Sequence, residues 1–532
     1  MKKILALVLA VVMMVGICAA CAKTPASSQT VSQTESKADV SSTAEPKKPV
    51  TIRYYYPQSC GVQSKTGEVA AKLTEILSKM PGYEHITMEL VPQAEKTYAT
   101  NITLDETAGV QIDLVATYML DFATMANAGS FTDLKDLLEK HPDITKELPD
   151  WLIKMGQFKG TQYYVPTYQQ ASNGYFFIAP NAYWEASGKT ADEARNVFQK
   201  GTMAEKLDFM EAFVRGVRES TGSKTKWMRV PLFHFTGELV EYIDANYGQL
   251  ILREGKTPEY TAMTEDMKTI FQYAAKWYKE GLVHPDVMTY KKNDYSMKNF
   301  MNDESLVYDF SEGSCSEEQL LAKNSWTKDI PATTVHTADH WYIGSKWAAG
   351  GNAIHSTSKN PDDAMSIIEL LMTTKGEEFY NTLCWGLEGT HWNWVDKDNK
   401  RIETLEFSGS QGGSDGTYTT WKWAVGNTFN AWKNQAVADG SNEYILNEIH
   451  NGKTTVTSPM MGYTWDLTDL RAKIDDLKTI DDEYFNQLLN GINGDKWESV
   501  YNEYMTKLKK AGVQEVLDNL TKQYNDYTSS KK

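Results

Sequence analysis

Apolar and polar positions near the start of the chain alternate between the spacing of strands and that of helices. Residues 50–56 (VTIRYYY) alternate as in a strand, and residues 66–79 place apolar side chains three to four positions apart, as in a helix. The same order continues with a strand at 85–91, a helix at 96–104 and a strand at 111–117. Such a β-α-β-α-β order predicts an α/β fold with mostly parallel sheets flanked by helices.

The pattern continues to the end of the chain. It predicts strands at 175–179, 227–235 and 305–310, helices at 205–220 and 263–281, and a strand pair or turn-rich crossing at 341–354. Pro361 predicts the start of a further helix, because proline is favoured at the first helical position. Residues 466–527 are expected to be helical, with breaks at Gly491, Gly494 and Gly512.

The start of the chain predicts export. Residues 1–20 contain a lysine pair and then an apolar run that is too short to span a bilayer comfortably. The run ends in two alanines and Cys21, which resembles a bacterial lipoprotein signal that is cut before a lipid-modified cysteine. Cys18 as acceptor, plain secretion and an uncleaved anchor are the alternatives. Residues 21–49 are polar and are expected to form a disordered tether.

Length and charge limit the classes of function. Residues 50–527 are too many for one core, so two lobes are expected. The formal charge of −16, without a basic stripe, argues against binding of nucleic acid. Beyond the signal and Cys21, the remaining cysteines are Cys60, Cys315 and Cys384. At most one disulfide could form from these three, and buried free thiols are the favoured interpretation.

Aromatic residues are numerous and often have polar neighbours in turn-like stretches. The chain has 15 Trp, 29 Tyr and 17 Phe, and a sugar site needs aromatic faces beside hydrogen-bonding groups. Ligands of open parallel sheets bind beyond the carboxyl ends of the strands. The candidates at strand ends are Tyr56, Gln58, Tyr118 and Asp121, and the candidates near the first crossing between lobes are Tyr168 and Gln170. Ordinary loop residues are the alternative for each.

Residues 384–394 (CWGLEGTHWNW) form the densest aromatic and polar cluster, directly after a predicted helix. Trp385 and Trp392 could stack on a sugar ring while Glu388 accepts hydrogen bonds from hydroxyls. Alternatively, the tryptophans close the core and Glu388 pairs locally. Trp347, on a glycine-rich segment near the last crossing, is a further candidate for an exposed stacking surface.

The sequence contains no motif of catalysis or of cofactor binding. It has no HExxH pair, Walker loop or GxGxxG fingerprint, and no GxSxG elbow between a predicted strand and a predicted helix. Asp396, Asp398 and Asn399 could belong to a calcium loop, but the later carboxylate of an EF-hand is missing and a β-turn is favoured. We therefore expect no catalytic residue, no cofactor and no metal.

Several segments together resemble the extracellular solute-binding proteins of ABC importers, in particular the LplA-like lipoprotein branch that binds oligosaccharides. The clearest segments are 360–364, 375–378 and 386–392, with weaker ones at 300–310, 426–429, 462–466 and 497–524. The resemblance implies a two-lobed periplasmic-binding-protein-like fold that closes on a ligand held between the lobes. It implies no chemistry on the ligand, and it implies the membrane subunits of an ABC permease as partners.

These inferences define an expected organisation and function. The first lobe is expected at 50–167 with a return segment at about 300–345, and the second at 168–299 with about 346–460. Residues 461–532 are expected to pack on both as a helical segment. The leading hypothesis is a monomeric oligosaccharide receptor, lipid-anchored on the outer face of the cytoplasmic membrane of a Gram-positive type envelope. The alternatives are a secreted glycoside hydrolase with a carboxylate pair, or a surface sugar-binding module without transport.

Overall fold

The computed structural model describes residues 47–531, with gaps at residues 60, 173, 245–246, 290–304, 324, 345–349, 406–415, 436 and 438–439. The predicted signal, Cys21, residues 22–46 of the tether, Cys60 and Trp347 lie outside the described residues. None of the helices in the described ranges combines the length and the apolar composition that a membrane span requires.

The strands are short and numerous. They are β1 (Val50–Gln58), β2 (Ile86–Ala94), β3 (Leu114–Ala116), β4 (Gln157–Phe158), β5 (Thr161–Gln162), β6 (Tyr164–Pro166), β7 (Gly174–Pro180), β8 (Lys226–Trp227), β9 (Val240–Asp244), β10 (Tyr247–Arg253), β11 (Glu259–Tyr260), β12 (Ser305–Leu306), β13 (Asp309–Gly313), β14 (Ala332–His336), β15 (Trp341–Ile343), β16 (Gly351–Ile354), β17 (Trp392–Asp396), β18 (Arg401–Thr404), β19 (Lys433–Asn434) and β20 (Thr455–Thr457).

The helices are distributed along the whole described chain. They are α1 (Thr66–Leu77), α2 (Tyr98–Thr107), α3 (Phe122–Asn127), α4 (Lys135–Lys140), α5 (Pro142–Glu147), α6 (Asp150–Lys154), α7 (Asn181–Ser187), α8 (Ala191–Lys200), α9 (Met203–Thr221), α10 (Glu265–Lys279), α11 (Glu317–Lys323), α12 (Pro361–Met372), α13 (Glu377–Trp385), α14 (Lys422–Val425), α15 (Ser441–Tyr444), α16 (Arg471–Leu489), α17 (Trp497–Lys510) and α18 (Val513–Ser530). A π-helical turn, Ile445–His450, continues α15.

The first lobe is built on a five-stranded sheet in the order β2-β1-β3-β16-β6. The first three strands are parallel, and β1 pairs with β2 in continuous register from Val50 opposite Ile86. The predicted β-α-β-α-β order is therefore confirmed. Strand β16 pairs antiparallel with β3 on one side and with β6 on the other. Apolar side chains of α1, α12 and α13, among them Leu73, Ile368 and Leu383, cover the sheet as one buried core.

The second lobe has a different sheet. Strand β7 is central and pairs antiparallel with both β13 and β14. Its buried phenylalanine Phe177 packs with Phe213 of α9 and Tyr308 of the connection into β13. Helix α9 begins with a capping box in which Thr202 and Glu205 satisfy each other's backbone amides. The α/β class and the two lobes are as expected, but parallel pairing is less general than predicted, because β7 pairs antiparallel with both of its neighbours.

The C-terminal helices α16, α17 and α18 belong to the core of the second lobe. They are separated at Gly491, Gly494 and Gly512, as predicted, and all three glycines have positive φ. Burial raises the pKa of Asp481 on α16, whose carboxylate accepts a hydrogen bond of 2.7 Å from the Tyr260 hydroxyl. The hydroxyls of two further tyrosines, Tyr247 and Tyr504, also donate to this carboxylate. This network fastens α16 to the β9-β10-β11 sheet.

The division of the chain between the lobes differs from the expected one. Strands β12, β13 and β14 pair within the second lobe, so the segment expected to return at 300–345 stays there. Strand β16 and helices α12 to α14 pack in the first lobe, although about 346–460 was expected in the second. Buried strands look alike in sequence, and only pairing decides which sheet they join. The stretch expected as a strand at 227–235 has only β8 and a 3₁₀ turn at Phe233–Thr236.

Candidate functional site

A cavity of about 900 Å³, including its open mouth, lies where the two lobes meet. The loop after β3 and the start of α3 form its first-lobe wall, and β9 forms part of the second-lobe wall. The segment that leads into α16 closes the remaining side. The lining residues are Thr117, Tyr118, Met119, Leu120, Asp121, Phe122, Ala123, Met155, Tyr164, Tyr242, Ile243, Asp244, Tyr463, Thr464, Trp465, Leu467 and Arg471. We call this cavity the interlobe cleft.

An aromatic ladder supports the first-lobe wall. The ring of Tyr118 meets Trp423 edge-on at 4.5 Å between centroids, and Trp423 stacks on Trp421 at 5.4 Å and 14°. Burial, and then the negative charge of Glu95, raises the pKa of the Tyr118 hydroxyl. Tyr118 therefore presents a neutral hydroxyl and part of a ring to the cleft, from a position held by two tryptophans.

One arginine links the two walls. The Nε of Arg471, at the start of α16, donates to Asp121 Oδ2 of the first lobe at 2.6 Å. Its Nη1 donates to Asp244 Oδ2 of the second lobe at 2.5 Å. Burial disfavours the charge of Arg471, but these two carboxylates outweigh burial and raise its pKa. We call this arrangement the Arg471 clasp.

Three residues of the cleft retain an unused polar atom. Thr117 Oγ1, Asp121 Oδ1 and Trp465 Nε1 are buried and have no hydrogen-bond partner among the described residues. Buried polar atoms are normally satisfied, because an unsatisfied one costs about 1–3 kcal/mol. Two potential acceptors, one of which can also donate, and one indole donor therefore form a set that a polyhydroxyl ligand could satisfy.

The segment before α16 is held by both lobes. Asp466 pairs with Lys159 of the β4-β5 hairpin at 2.8 Å, and Thr468 accepts a hydrogen bond of 3.1 Å from the Asn127 amide of α3. On the other side, the Tyr463 hydroxyl donates to Gln523 of α18 at 3.0 Å. Trp465 thus reaches the cleft from a backbone that is fixed at both ends.

Of the residues predicted for ligand contact, Tyr118 and Asp121 line the cleft. Tyr56 is fully buried in the first-lobe core, and Gln58 is buried with its amide donating to the Gly61 carbonyl. Tyr168 and Gln170 are half-buried at the first crossing, where the Tyr168 ring stacks on His450 at 5.7 Å. These four do not line the cleft, and Trp347 is not described.

The turn at residues 385–394 packs between α13 and β17. Trp392 is 4% exposed, its indole nitrogen donates to the Gly386 carbonyl at 3.1 Å, and its ring meets Trp394 and Trp432 edge-on. Glu388 is exposed, and its backbone forms an isolated parallel β-bridge with Trp392. These features correspond to the structural alternative that the sequence left open.

Trp385, at the end of α13, has a different environment from the rest of this turn. It is half-buried, and the Lys422 ammonium lies 3.6 Å from its ring centroid. Burial lowers the pKa of Lys422 to about 8. The ring face of Trp385 is therefore already covered by a cation.

Several cleft residues were missed by the sequence analysis: Tyr242, Asp244, Trp465 and Arg471. The aromatic and polar run at 462–466 contributes to the family resemblance, and its composition matches that of the predicted sites. Nothing in the local sequence singles out Arg471, because its partners Asp121 and Asp244 are 350 and 227 positions away.

Cysteine and metal predictions have mixed outcomes. Cys384 is buried and is a free thiol, Cys315 is half-buried, and Cys60 lies outside the described residues. Asp396 accepts hydrogen bonds from the backbone and side chain of Asn399, which makes a tight turn between β17 and β18. Within the described ranges, no three His, Cys, Asp or Glu residues come together as a metal site would require.

Comparisons with known proteins agree with this architecture. The family described as "Domain of unknown function (DUF3502)" matches residues 459–529, and no curated protein matches the chain by sequence. The crystal structure of NgtS, an N-glycan transport solute-binding protein from Streptococcus pneumoniae, is similar with a TM-score of 0.69 at 18% identity, over 91% of this chain and 100% of that one.

Two further solved structures are similar. An extracellular solute-binding protein from Bifidobacterium longum subsp. infantis has a TM-score of 0.60 at 18% identity, over 92% of this chain and 100% of that one. A solute-binding protein from Bifidobacterium longum infantis, described as HMO-binding and associated with an ABC transporter, has a TM-score of 0.54 at 16% identity, over 91% and 100%. The expectation from the family resemblance is thus confirmed for the fold: this chain has the two-lobed α/β fold of the solute-binding proteins of ABC transporters.

Proposed function

We propose that this chain is the extracellular receptor of an ABC importer and that it binds an oligosaccharide in the interlobe cleft. The observation that carries the proposal is the set of unused polar atoms on Thr117, Asp121 and Trp465, beside the partly exposed ring of Tyr118. Sugars combine apolar ring faces with hydroxyls that donate and accept, which matches this set.

The solved structures that share the fold support a sugar ligand. NgtS has been solved with Man1GlcNAc and with Man5GlcNAc, and the Streptococcus pneumoniae substrate-binding protein FusA with kestose. The ligands of these proteins differ from one another, so they favour the class of ligand rather than one sugar.

The Arg471 clasp suggests how ligand binding would be coupled to lobe closure. Arg471 and Asp244 both belong to the second lobe, and Arg471 also holds Asp121 of the first lobe, so the Arg471–Asp121 pair exists only while the walls are close. A ligand that forms hydrogen bonds with both Asp121 Oδ1 and Trp465 Nε1 would stabilise the same closed state. It would shift the population toward the form that docks on the permease.

We further propose that Cys21 carries a lipid anchor and that the tether holds the two lobes at the outer face of the cytoplasmic membrane. The support is the sequence of residues 1–49 alone. The partners in this proposal are the membrane subunits of the permease and the lipid bilayer, and the receptor acts as a monomer.

Hydrolysis is the less favoured function. A glycosidase needs one carboxyl group that delivers a proton and a second that acts as base or nucleophile. In the cleft, Asp121 and Asp244 both accept hydrogen bonds from the same guanidinium. That arrangement engages both carboxyl groups with one guanidinium and does not set them up as a separate acid and base.

The test is a thermal-shift panel of purified oligosaccharides, followed by calorimetry and product analysis on every hit. The proposal predicts that the melting temperature rises with at least one glycan and that the glycan is recovered intact. Recovery of shortened products, lost in the variant Asp121→Asn, would favour the hydrolase. A panel with no stabilising glycan would contradict the proposed ligand class.

A further inference from the structure

We propose that the interlobe cleft selects uncharged glycans and rejects glycans that carry carboxylates, and that Asp121 and Asp244 impose this selection by occupying the charge of Arg471. This inference rests on the proposed function. It names the class of sugar within it.

The charges of the cleft are unevenly distributed. Among the described residues that line it, Asp121 and Asp244 are acidic and Arg471 is the single basic residue. Both acids bind that guanidinium, at 2.6 Å and 2.5 Å between nitrogen and oxygen. These three charged groups therefore carry one net negative charge. The guanidinium that could bind the carboxylate of a uronate is already paired with two carboxylates of the protein.

Burial makes this charge effective. The Asp244 side chain is 5% exposed, and those of Asp121 and Arg471 are about one-third exposed. Charges in such a position are screened by salt much less than charges on an open surface. Lys159, which contacts the segment before α16, is paired with Asp466 at 2.8 Å.

Hydrogen bonding reinforces the same preference. Asp121 Oδ1 is buried and has no hydrogen-bond partner among the described residues. An ionised carboxylate can only accept, so its partner must donate. The hydroxymethyl group of a neutral hexose has a hydrogen to donate, whereas the carboxylate of a uronic acid does not. Oxidation of that one carbon thus replaces a donor with a second anion.

Matched glycan pairs test the inference. The probes are β-1,4-mannotetraose with β-1,4-tetramannuronate, α-1,4-galactotetraose with tetragalacturonate, and a neutral N-glycan with its sialylated form, presented together on one glycan array. We expect the bound glycans to be neutral, with at least about a tenfold preference over the acidic counterpart, as one repelled charge at intermediate dielectric would give. Equal or tighter binding of the acidic member overturns the inference but not the proposed function. An array on which nothing binds overturns both.

Variants of Asp121 and Asp244 test whether these carboxylates cause the selection against acidic glycans. Asp121→Asn keeps the shape of the side chain and removes one anion, so the neutral-to-acidic affinity ratio should fall about tenfold. Asp244→Asn is the second variant, and it should act in the same direction if Asp121→Asn does not fold. The control is Asp495→Asn, which removes a surface partner of Lys279 and should leave the ratio unchanged. A ratio that stays constant in both cleft variants would overturn the role of these two residues.

Discussion

The turn that follows α13 and the segment that precedes α16 have similar compositions and different environments. Both combine tryptophan with acidic and hydroxyl side chains. In the turn, the Trp392 indole and both ring nitrogens of His391 have hydrogen-bond partners, and Trp385 is the exception with an unpaired indole nitrogen. In the segment before α16, the Trp465 indole nitrogen has no hydrogen-bond partner among the described residues, and Trp465 lines the cleft.

Similar compositions thus occur in a packed turn and in the wall of the cleft, and Trp465 differs from Trp392 in combining an unpaired indole with a position on the cleft lining. In the turn at residues 385–394, Trp392 and His391 satisfy their polar atoms within the protein, and an unsatisfied buried group would destabilise the fold. A binding site leaves such atoms for the ligand, and the cost is recovered on binding.

Truncation of Trp392, in the turn at residues 385–394, should reduce stability without reducing glycan affinity. Trp392→Ala removes a buried ring that packs with Trp394 and Trp432, and it should lower the free energy of unfolding by about 3–5 kcal/mol. Urea denaturation measures this loss, and calorimetry on the folded variant measures affinity. Unchanged stability with lost glycan binding would show that the turn is a binding site.

Removal of the Arg471 clasp should reduce both stability and glycan affinity. Arg471→Met takes the guanidinium from Asp244, which is 5% exposed, and should lower the free energy of unfolding by about 2 kcal/mol, since the pair is only partly buried. Glycan affinity should fall at least about tenfold, because the closed form loses its link between lobes. Lys279→Met, which breaks a surface pair with Asp495, is the control and should have no effect on affinity. Retained affinity in Arg471→Met would contradict the coupling of the clasp to binding.

Acidification should separate stability from binding. Burial lowers the pKa of His336 and of His450 to about 4, below the ordinary 6.5. As the pH falls below 6.5, the unfolded chain takes up protons before the folded one, so stability is complete above that pH and is lost toward pH 4. Between pH 7 and pH 5 we expect a loss of about 1–2 kcal/mol for each histidine.

Glycan affinity should stay constant over this pH range, because no histidine is among the described residues that line the cleft. Urea titrations and calorimetry at pH 7, 6 and 5 measure the two quantities. The double variant His336→Gln/His450→Gln should show a weaker dependence of stability on pH. Affinity that falls in parallel with stability while the protein remains folded would mean that a histidine contacts the ligand.

The smallest effect is expected at Glu388. Its side chain is exposed at the edge of the turn, so Glu388→Gln should change both stability and glycan affinity by less than about 0.5 kcal/mol. Calorimetry against the best glycan of the panel provides the measurement. A tenfold loss of affinity would return Glu388 to the binding site.

Local patterns were sufficient to predict a large part of the fold. The parallel strands β1 to β3 and the glycine breaks between α16, α17 and α18 follow from apolar spacing and from backbone freedom. Tyr118 and Asp121 could be placed at the cleft because they follow a predicted strand of a parallel sheet. The membership of β13 and β16 in their sheets could not be predicted, because it depends on which distant strand offers a free edge.

The remaining part of the site depends on contacts between distant segments. Asp121 and Arg471 are 350 positions apart, and no local period connects them. Trp465 and Trp392 are indistinguishable as tryptophans beside polar residues. Only the packed structure gives the indole of Trp392 a carbonyl and leaves that of Trp465 without a partner among the described residues.

The most direct test of the cleft uses two matched tryptophan variants and calorimetry with the best neutral glycan. Trp465→Phe keeps an aromatic ring in the cleft and removes its unpaired N–H, whereas Trp227→Phe removes an N–H that is also unpaired among the described residues but lies outside the cleft lining. We predict about tenfold weaker binding for Trp465→Phe, the value of one hydrogen bond, and unchanged binding for Trp227→Phe. Equal affinity of both variants and the parent would contradict the assignment of the interlobe cleft as the sugar site.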